Sequence, residues 1–196
     1  QFNYLVNNKK FINNLIKNVE GILQCVKKGK INSVILNYDE DSQSFFYWYQ
    51  QLVAESLGKK SKGILPIVSQ MPKDNHSVMQ LYLDGPKNNF FTFFDVFSKK
   101  SEKINNFNLL NSHSYLKNKS INEIILAQRL ATEKIFKTKK IPFRSFFLKK
   151  KNEQTLGELF CFFILETILL GRALKVDPFN QPSVELIKKE TKKILI

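Results

Sequence analysis

Short apolar runs of strand length alternate with longer stretches whose apolar residues recur at helical spacing, and this alternation most constrains the fold. One helical stripe begins at Phe11 and stops at Gly29, and a β-branched run at 33–36 follows it. Strands that alternate with helices form parallel sheets covered on both faces. We therefore predict an α/β fold: a three-layer α/β/α sandwich with a mainly parallel sheet, plus C-terminal helices. Ligands bind such sheets beyond the carboxyl ends of the strands, so we expect chemistry in the loops after residues 36, 68 and 97.

Capping and turn residues place the individual elements. Ser120 and Glu123 predict a capping box, Asp74 predicts the start of another helix, and Gly58 predicts a left-handed helix end. Pro66 inside a predicted strand indicates an edge position, since proline cannot donate a ladder hydrogen bond. The predicted strands cover residues 33–36, 63–68, 90–97 and 143–148. The predicted helices cover residues 11–26, 45–57, 74–84, 120–135, 156–174 and 182–195, and the polar residues 98–119 form a surface connection.

The formal net charge of +14 favours anionic partners, which include nucleic acid, anionic lipid and phosphorylated metabolites. The lysines are scattered in twos and threes and form no single arm. The chain is also rich in Asn and Ile and poor in Arg, so a compositional bias with solvated lysines is the simplest interpretation of the charge. Attraction of phosphorylated sugars ranks second, and nucleic-acid binding ranks third.

The two cysteines and the longest apolar run indicate the cellular compartment that we expect for the protein. Cys25 and Cys161 lie far apart inside helical patterns, which predicts buried free thiols in a reducing compartment and no metal site. The longest apolar run, residues 159–165, meets Glu166 and is too short to span a bilayer. We therefore expect a cytoplasmic protein with no membrane partner. The chain starts at Gln1 without an initiator Met, which predicts a preceding segment.

Three residues suit acid–base chemistry. Glu55 lies near the end of its predicted helix, where the dipole and apolar neighbours disfavour an ionised carboxylate. His76 lies in the first turn of the helix predicted from residue 74, where the dipole favours a neutral imidazole. Lys188 borders an apolar seam of the last helix, where partial burial would lower its pKa and suit it to proton donation. Spacing alone favours the plainer alternatives: a solvated Glu, a surface His and a snorkelling Lys.

Three whole segments, taken in order, resemble signature regions of one enzyme family. They are residues 51–59 (QLVAESLGK), 74–86 (DNHSVMQLYLDGP) and 178–188 (PFNQPSVELIK). All three resemble the glucose-6-phosphate isomerase family. The last is the most specific, because it sets an aromatic residue, a Gln, a Val-Glu pair and a Lys at fixed spacings. The resemblance covers most of the chain from about Ser33 onward.

The resemblance implies interconversion of glucose 6-phosphate and fructose 6-phosphate, in glycolysis and gluconeogenesis. Glu55 would shuttle a proton between C1 and C2 through a cis-enediol, and Lys188 would protonate the ring oxygen. Gln181 would bind the sugar-phosphate substrate. His76 would assist ring opening in the active site of the neighbouring subunit, so the resemblance implies a homodimer. It implies no metal and no organic cofactor.

The family's phosphate-binding Ser/Thr loop and its Gly-Gly-Arg segment have no counterpart in the sequence. We therefore predict the second sugar-isomerase (SIS) domain at residues 1–150 and a helical segment packing on it at 151–196, without the first SIS domain. The isolated chain is expected to isomerise its substrate poorly or not at all. Ser183 and Ile187 depart from the small residues usual in the family, which puts local helix packing in doubt.

Two other functions compete with the isomerase. A non-catalytic sugar-phosphate-binding SIS module would keep the sheet, but it would lose the residues that Glu55 and Lys188 represent. A basic nucleic-acid-binding domain needs a contiguous Lys/Arg face with aromatic stacking groups. Here the Phe residues fall in core-like runs and Arg is scarce, so we expect no nucleic-acid partner.

Overall fold

A four-stranded parallel sheet forms the centre of the molecule. The computed structural model describes residues 2–97, 101–104 and 109–196, without the side chain of Phe2. The strands are β1 (Asn32–Asn37), β2 (Leu65–Gln70), β3 (Asn89–Val96) and β4 (Phe143–Leu148). Their spatial order is β2-β1-β3-β4, and every neighbouring pair is parallel. The predicted parallel sheet is confirmed.

Helices cover both faces of this sheet. They are α1 (Phe2–Asn7), α2 (Lys9–Lys27), α3 (Gln43–Leu57), α4 (Met79–Asp84), α5 (Ile121–Thr138), α6 (Glu153–Leu174) and α7 (Pro182–Leu195). Side chains on β1 alternate between the faces: Ile35 packs with α2, α3 and α6, whereas Val34 and Leu36 pack with α4 and α5. The three-layer α/β/α sandwich is therefore confirmed.

Phenylalanine builds much of the core on both faces. The ring of Phe94 on β3 meets Phe46 of α3 edge-on, with centroids 4.7 Å apart. On the other face, Phe91 stacks on Phe136 of α5 at 4.8 Å. All four of these side chains are at most 1% exposed. Aromatic pairs at this spacing add to the stabilisation from burial alone, and this packing explains the heavy use of Phe.

A buried ion pair ties edge strand β4 to α6. Arg144 Nη2 donates to Glu166 Oε1 at 3.0 Å, Nη1 also contacts this carboxylate, and Nε donates to Thr92 Oγ1 at 3.0 Å. Glu166 is only 1% exposed. Burial acts to lower the pKa of Arg144, but the neighbouring Glu166 carboxylate outweighs this effect and raises the pKa. The guanidinium therefore stays charged within the core.

Two local predictions are wrong. The helix expected from Asp74 begins only at Met79; the Asp74 carboxylate instead accepts hydrogen bonds from the Gln70 N–H at 2.8 Å and the Ser77 hydroxyl at 3.1 Å, closing a turn. Gly58 ends α3 with φ −74°, outside the left-handed region. The left-handed residues of this turn come two positions later, at 60 and 61.

Other local predictions hold. Ser120 and Glu123 form the capping box of α5, and Pro66 lies on an edge strand. The predicted surface connection contains a 3₁₀ helix at Asn111–Leu116, and positions 98–100 and 105–108 lie outside the described residues. Both cysteines are free, as predicted, but they are half-buried, so the predicted full burial is wrong. Among the described residues, no helix combines the length and apolarity that crossing a membrane requires.

Candidate functional site

Glu55 lies near the amino ends of the strands. Helix α3 runs antiparallel to β2, and Gln50 Nε2 donates to the Pro66 carbonyl at 2.9 Å, near the start of that strand. Five residues further along the helix advance it by about 7.5 Å, so Glu55 lies beyond the amino end of β2. The half-buried Glu55 carboxylate accepts a hydrogen bond from Gln51 Nε2 at 3.1 Å. Glu55 therefore lies away from the carboxyl ends of the strands, where we expected the chemistry.

Lys188 lies on the exposed helix α7. Lys188 Nζ donates to Glu185 Oε1 at 2.7 Å, and its side chain is 61% exposed. The Glu185 carboxylate raises the pKa of Lys188, and the negative charge of Glu55 raises it further. The lowered pKa that we expected from partial burial is therefore wrong. Among the causes of this shift, the charge of Glu55 is the smallest.

The predicted seam of α7 is exposed, which explains why Lys188 is not desolvated. None of the helix's side chains is buried, and Ile187 and Ile194 are 69% and 83% exposed. The apolar side chains of α7 have the predicted spacing, but no described element packs against them.

Gln181 is the N-cap residue of α7, and its side-chain oxygen Oε1 is buried without a hydrogen-bond donor within the described part of the chain. A buried acceptor without a donor is costly, which makes it a candidate for binding a ligand hydroxyl. Lys188 follows seven residues later, almost two full turns, so both residues lie on one side of the helix.

Two lysines that we did not select from the sequence hold this region together. Lys59 Nζ donates to the Asp177 carbonyl at 2.6 Å, and Lys62 Nζ donates to the Leu174 carbonyl at 2.9 Å. Asp177 in turn accepts from the Phe179 N–H at 3.0 Å, which shapes the loop leading to Gln181. The segment that follows α3 is thus held to the end of α6 and to the loop that leads to α7. In the sequence, only Lys59 belongs to the 51–59 segment, and no sequence signal indicated the role of Lys62.

His76 lies at the other end of the sheet. It follows β2, whose carboxyl end is Gln70, and its side chain is exposed. Because the α4 helix starts only at Met79, His76 precedes the helix and the dipole argument made for it does not apply. Glu55 and His76 therefore do not meet within one chain.

A larger cavity lies at the carboxyl ends, where we first expected a ligand. It measures about 860 Å³, and Asp39, Glu40, Asp41 and Asp95 are among its lining residues. Burial raises the pKa of Asp95, although Arg129 lowers it in part by donating a 2.9 Å hydrogen bond from Nε. A cavity with this many carboxylates disfavours a phosphorylated ligand.

Known proteins resemble the chain over most of its length. No known family model matches it. A probable glucose-6-phosphate isomerase of Methanococcus maripaludis is 36% identical over 163 residues, covering 83% of this chain and 36% of the relative. The glucose-6-phosphate isomerase of Methanocaldococcus jannaschii is 35% identical, covering 83% of this chain and 40% of the relative. The chain thus spans about two fifths of the length of these curated relatives.

The fold also matches a solved structure. A hypothetical protein from Thermus thermophilus superposes with a TM-score of 0.81 at 26% identity, covering 90% of this chain and 44% of that one.

Proposed function

Because this chain belongs to the glucose-6-phosphate isomerase family over the portion that it shares with these relatives, we propose that it supplies proton-transfer residues for interconverting glucose 6-phosphate and fructose 6-phosphate. The observation that carries the proposal is the similarity to the Methanococcus maripaludis relative over 83% of this chain, together with the family-like segments that contain Glu55 and Lys188. A carboxylate and an ammonium group provide the base and the acid that aldose–ketose isomerisation needs.

In the proposed reaction, the Lys188 ammonium donates a proton to the ring oxygen while the His76 imidazole accepts the proton of the C1 hydroxyl. The Glu55 carboxylate then removes the C2 proton of the open aldose, which forms the anion of a cis-enediol. A proton moves from O2 to O1, and Glu55 returns its proton to C1, which leaves the C2 carbonyl of the ketose. Gln181 Oε1 accepts a hydrogen bond from a sugar hydroxyl, which satisfies its buried lone pairs. The raised pKa of Lys188 keeps this donor protonated near neutral pH.

The proposal assigns the second SIS domain and the C-terminal helices to this chain, and the remaining catalytic groups to the part of the relatives that this chain does not cover. The exposure of Lys188 supports this division, because an acid in bulk water lacks the desolvated surroundings that strengthen electrostatic catalysis. Covering the exposed face of α7 would supply them.

We expect the 196-residue chain alone to convert fructose 6-phosphate at no more than the background rate. A fusion of this chain to the part of the Methanococcus maripaludis relative that it does not cover, called the joined protein below, should convert fructose 6-phosphate. An assay coupled to oxidation of glucose 6-phosphate measures this turnover. The relative's portion alone is the control and should be inactive. A folded joined protein that binds fructose 6-phosphate without turning it over would instead support the non-catalytic module.

Replacing Gln181 with Met should weaken substrate binding while it stabilises the fold. The Met side chain has a similar volume, and it does not leave a buried oxygen without a hydrogen-bond donor. The free energy of unfolding should therefore rise by about 1 kcal/mol. Loss of one sugar hydrogen bond should raise KM about three- to tenfold in the joined protein. Urea denaturation and steady-state kinetics measure the two effects. Gln128→Met, at an exposed position of α5, should change neither, and an unchanged KM in Gln181→Met would refute its binding role.

His76 should act across a subunit boundary, since the fold keeps it away from Glu55 of its own chain. In the joined protein, Glu55→Gln and His76→Ala subunits should each be nearly inactive alone. Mixed dimers should regain part of the activity, because one composite site then holds both native residues. If mixing subunits restores nothing although mixed dimers form, His76 does not serve the partner's site.

A further inference from the structure

A tight turn at residues 59–62 follows α3 and carries the two lysines that contact the C-terminal part of the chain. The Lys59 N–H donates to the Lys62 carbonyl at 3.1 Å, and the Lys62 N–H donates to the Lys59 carbonyl at 2.9 Å. The two central residues have positive φ angles, 53° at Lys60 and 57° at Ser61. Residues with a Cβ rarely adopt this left-handed backbone, so the contacts around the turn must hold it in place.

The Lys59 ammonium links the end of α3 to the loop before α7. Its Nζ donates to the Ser56 carbonyl at 3.0 Å and to the Asp177 carbonyl at 2.6 Å. Ser56 lies in the last turn of α3, where the carbonyls lack helical N–H partners. Lys62 Nζ instead donates to the carbonyl of Leu174, the last residue of α6, at 2.9 Å. Of the two lysines, Lys59 is therefore the one that reaches the loop.

Asp177 connects the Lys59 contact to the residues before Gln181. Its Oδ1 accepts a hydrogen bond from the Phe179 N–H at 3.0 Å, and its Oδ2 accepts one from Asn180 Nδ2 at 2.8 Å. Asn180 immediately precedes Gln181, the N-cap residue of α7 whose Oε1 is buried. The position of Asp177 therefore determines where the backbone enters α7 and how the Gln181 side chain is oriented.

The same loop is held to α6 at a second point. A Cβ added at Gly171 would lie 3.2 Å from Pro178 Cβ, so Pro178 packs closely against the helix at this position. This contact does not involve Lys59. Removing the Lys59 side chain should therefore leave the loop on α6 and free only the Asp177 carbonyl. A variant at Lys59 is expected to keep the fold and to change the geometry just before α7.

We propose that Lys59 is a positioning residue for substrate binding, because by holding the Asp177 carbonyl it orients Gln181 toward a hydroxyl of the sugar phosphate. This inference rests on the proposed function, which takes Gln181 as a group that binds the sugar. Two of the three ammonium donors of Lys59 already bond backbone carbonyls, so Lys59 acts through the loop. Its loss should weaken binding and leave proton transfer by Glu55 and Lys188 nearly unchanged.

Kinetics of the joined protein distinguish this role from a general effect of charge. Lys59→Met should raise KM for fructose 6-phosphate about three- to tenfold and leave kcat within about twofold. Lys60→Met removes the same charge from an exposed position of the same turn and should change KM less than about twofold. Adding Lys59→Met to Gln181→Met should raise KM less than about twofold further, because both changes remove one interaction. Effects that multiply, a fall in kcat alone, or equal effects of Lys59→Met and Lys60→Met would overturn the proposal.

Proteolysis of the 196-residue chain tests the Lys59–Asp177 contact without the isomerase reaction. Phe179 is 73% exposed, so chymotrypsin can cut after it whenever the loop opens. Lys59→Met should speed this cleavage at least about threefold, and Lys60→Met should not, as mass spectrometry of the released C-terminal peptide would show. Faster cleavage together with an inactive joined protein would refute the proposed function and still support the contact. Equal cleavage rates in Lys59→Met and the unaltered chain would overturn the positioning role, whatever the kinetics.

Discussion

Replacing Glu55 with Gln should lower kcat for fructose 6-phosphate by about 100- to 10,000-fold in the joined protein, the usual contribution of a positioned general base. The amide has nearly the shape of the carboxylate but cannot accept the proton from carbon. KM should change much less, because the lost interaction acts in the transition state. Steady-state kinetics in both directions measures the effect.

Two controls show whether the fall in kcat comes from misfolding or from the loss of a negative charge alone. Glu20→Gln removes the same charge from an exposed position of α2 and should leave kcat within about twofold. The urea unfolding curve of Glu55→Gln should match that of the unaltered protein. A kcat within a factor of about two of the unaltered value would show that Glu55 is not the base.

Replacing Glu166 with Ala should lower the free energy of unfolding by about 3–5 kcal/mol. The change leaves the Arg144 guanidinium buried without its counter-charge and opens a cavity beneath β4. Native domains are stable by only about 5–15 kcal/mol, so urea denaturation should show a large fall in the midpoint.

The exposed pair of Lys193 and Glu190 provides the comparison, with Nζ and Oε1 2.6 Å apart. Glu190→Ala should cost less than about 1 kcal/mol, because water screens that pair. Replacing both Arg144 and Glu166 with Leu should restore much of the loss, since no unpaired charge remains. A loss below about 1 kcal/mol in Glu166→Ala would show that the buried pair contributes little.

Local sequence signals predicted the elements wherever one conformation was clearly favoured. β4 and α7 have the predicted bounds, Phe143–Leu148 and Pro182–Leu195. The prediction at Asp74 was wrong because Asp is favoured both at helix starts and in turns, where its carboxylate bonds nearby backbone N–H groups. Here the bond from Gln70 N–H selects the turn, and spacing alone could not distinguish the two.

The sequence could not predict which elements of the site lie next to each other in the folded chain. The resemblance selected Glu55 and Lys188, but only the fold brings them to the same end of the sheet. The apolar spacing of α7 indicated a packing face and could not reveal that the described residues leave it uncovered. The partner of Glu166 lies 22 positions away on another element, so the sequence indicated only a charge at the end of an apolar run.

Deuterium incorporation tests the central claim, that a base on this chain moves the proton between C1 and C2. In D₂O, the joined protein should place solvent deuterium at C1 of fructose 6-phosphate, and proton NMR should show the loss of one C1 signal. The Glu55→Gln variant should bind the same substrate but exchange at least about 100 times more slowly. Exchange at the unaltered rate in that variant would contradict the account.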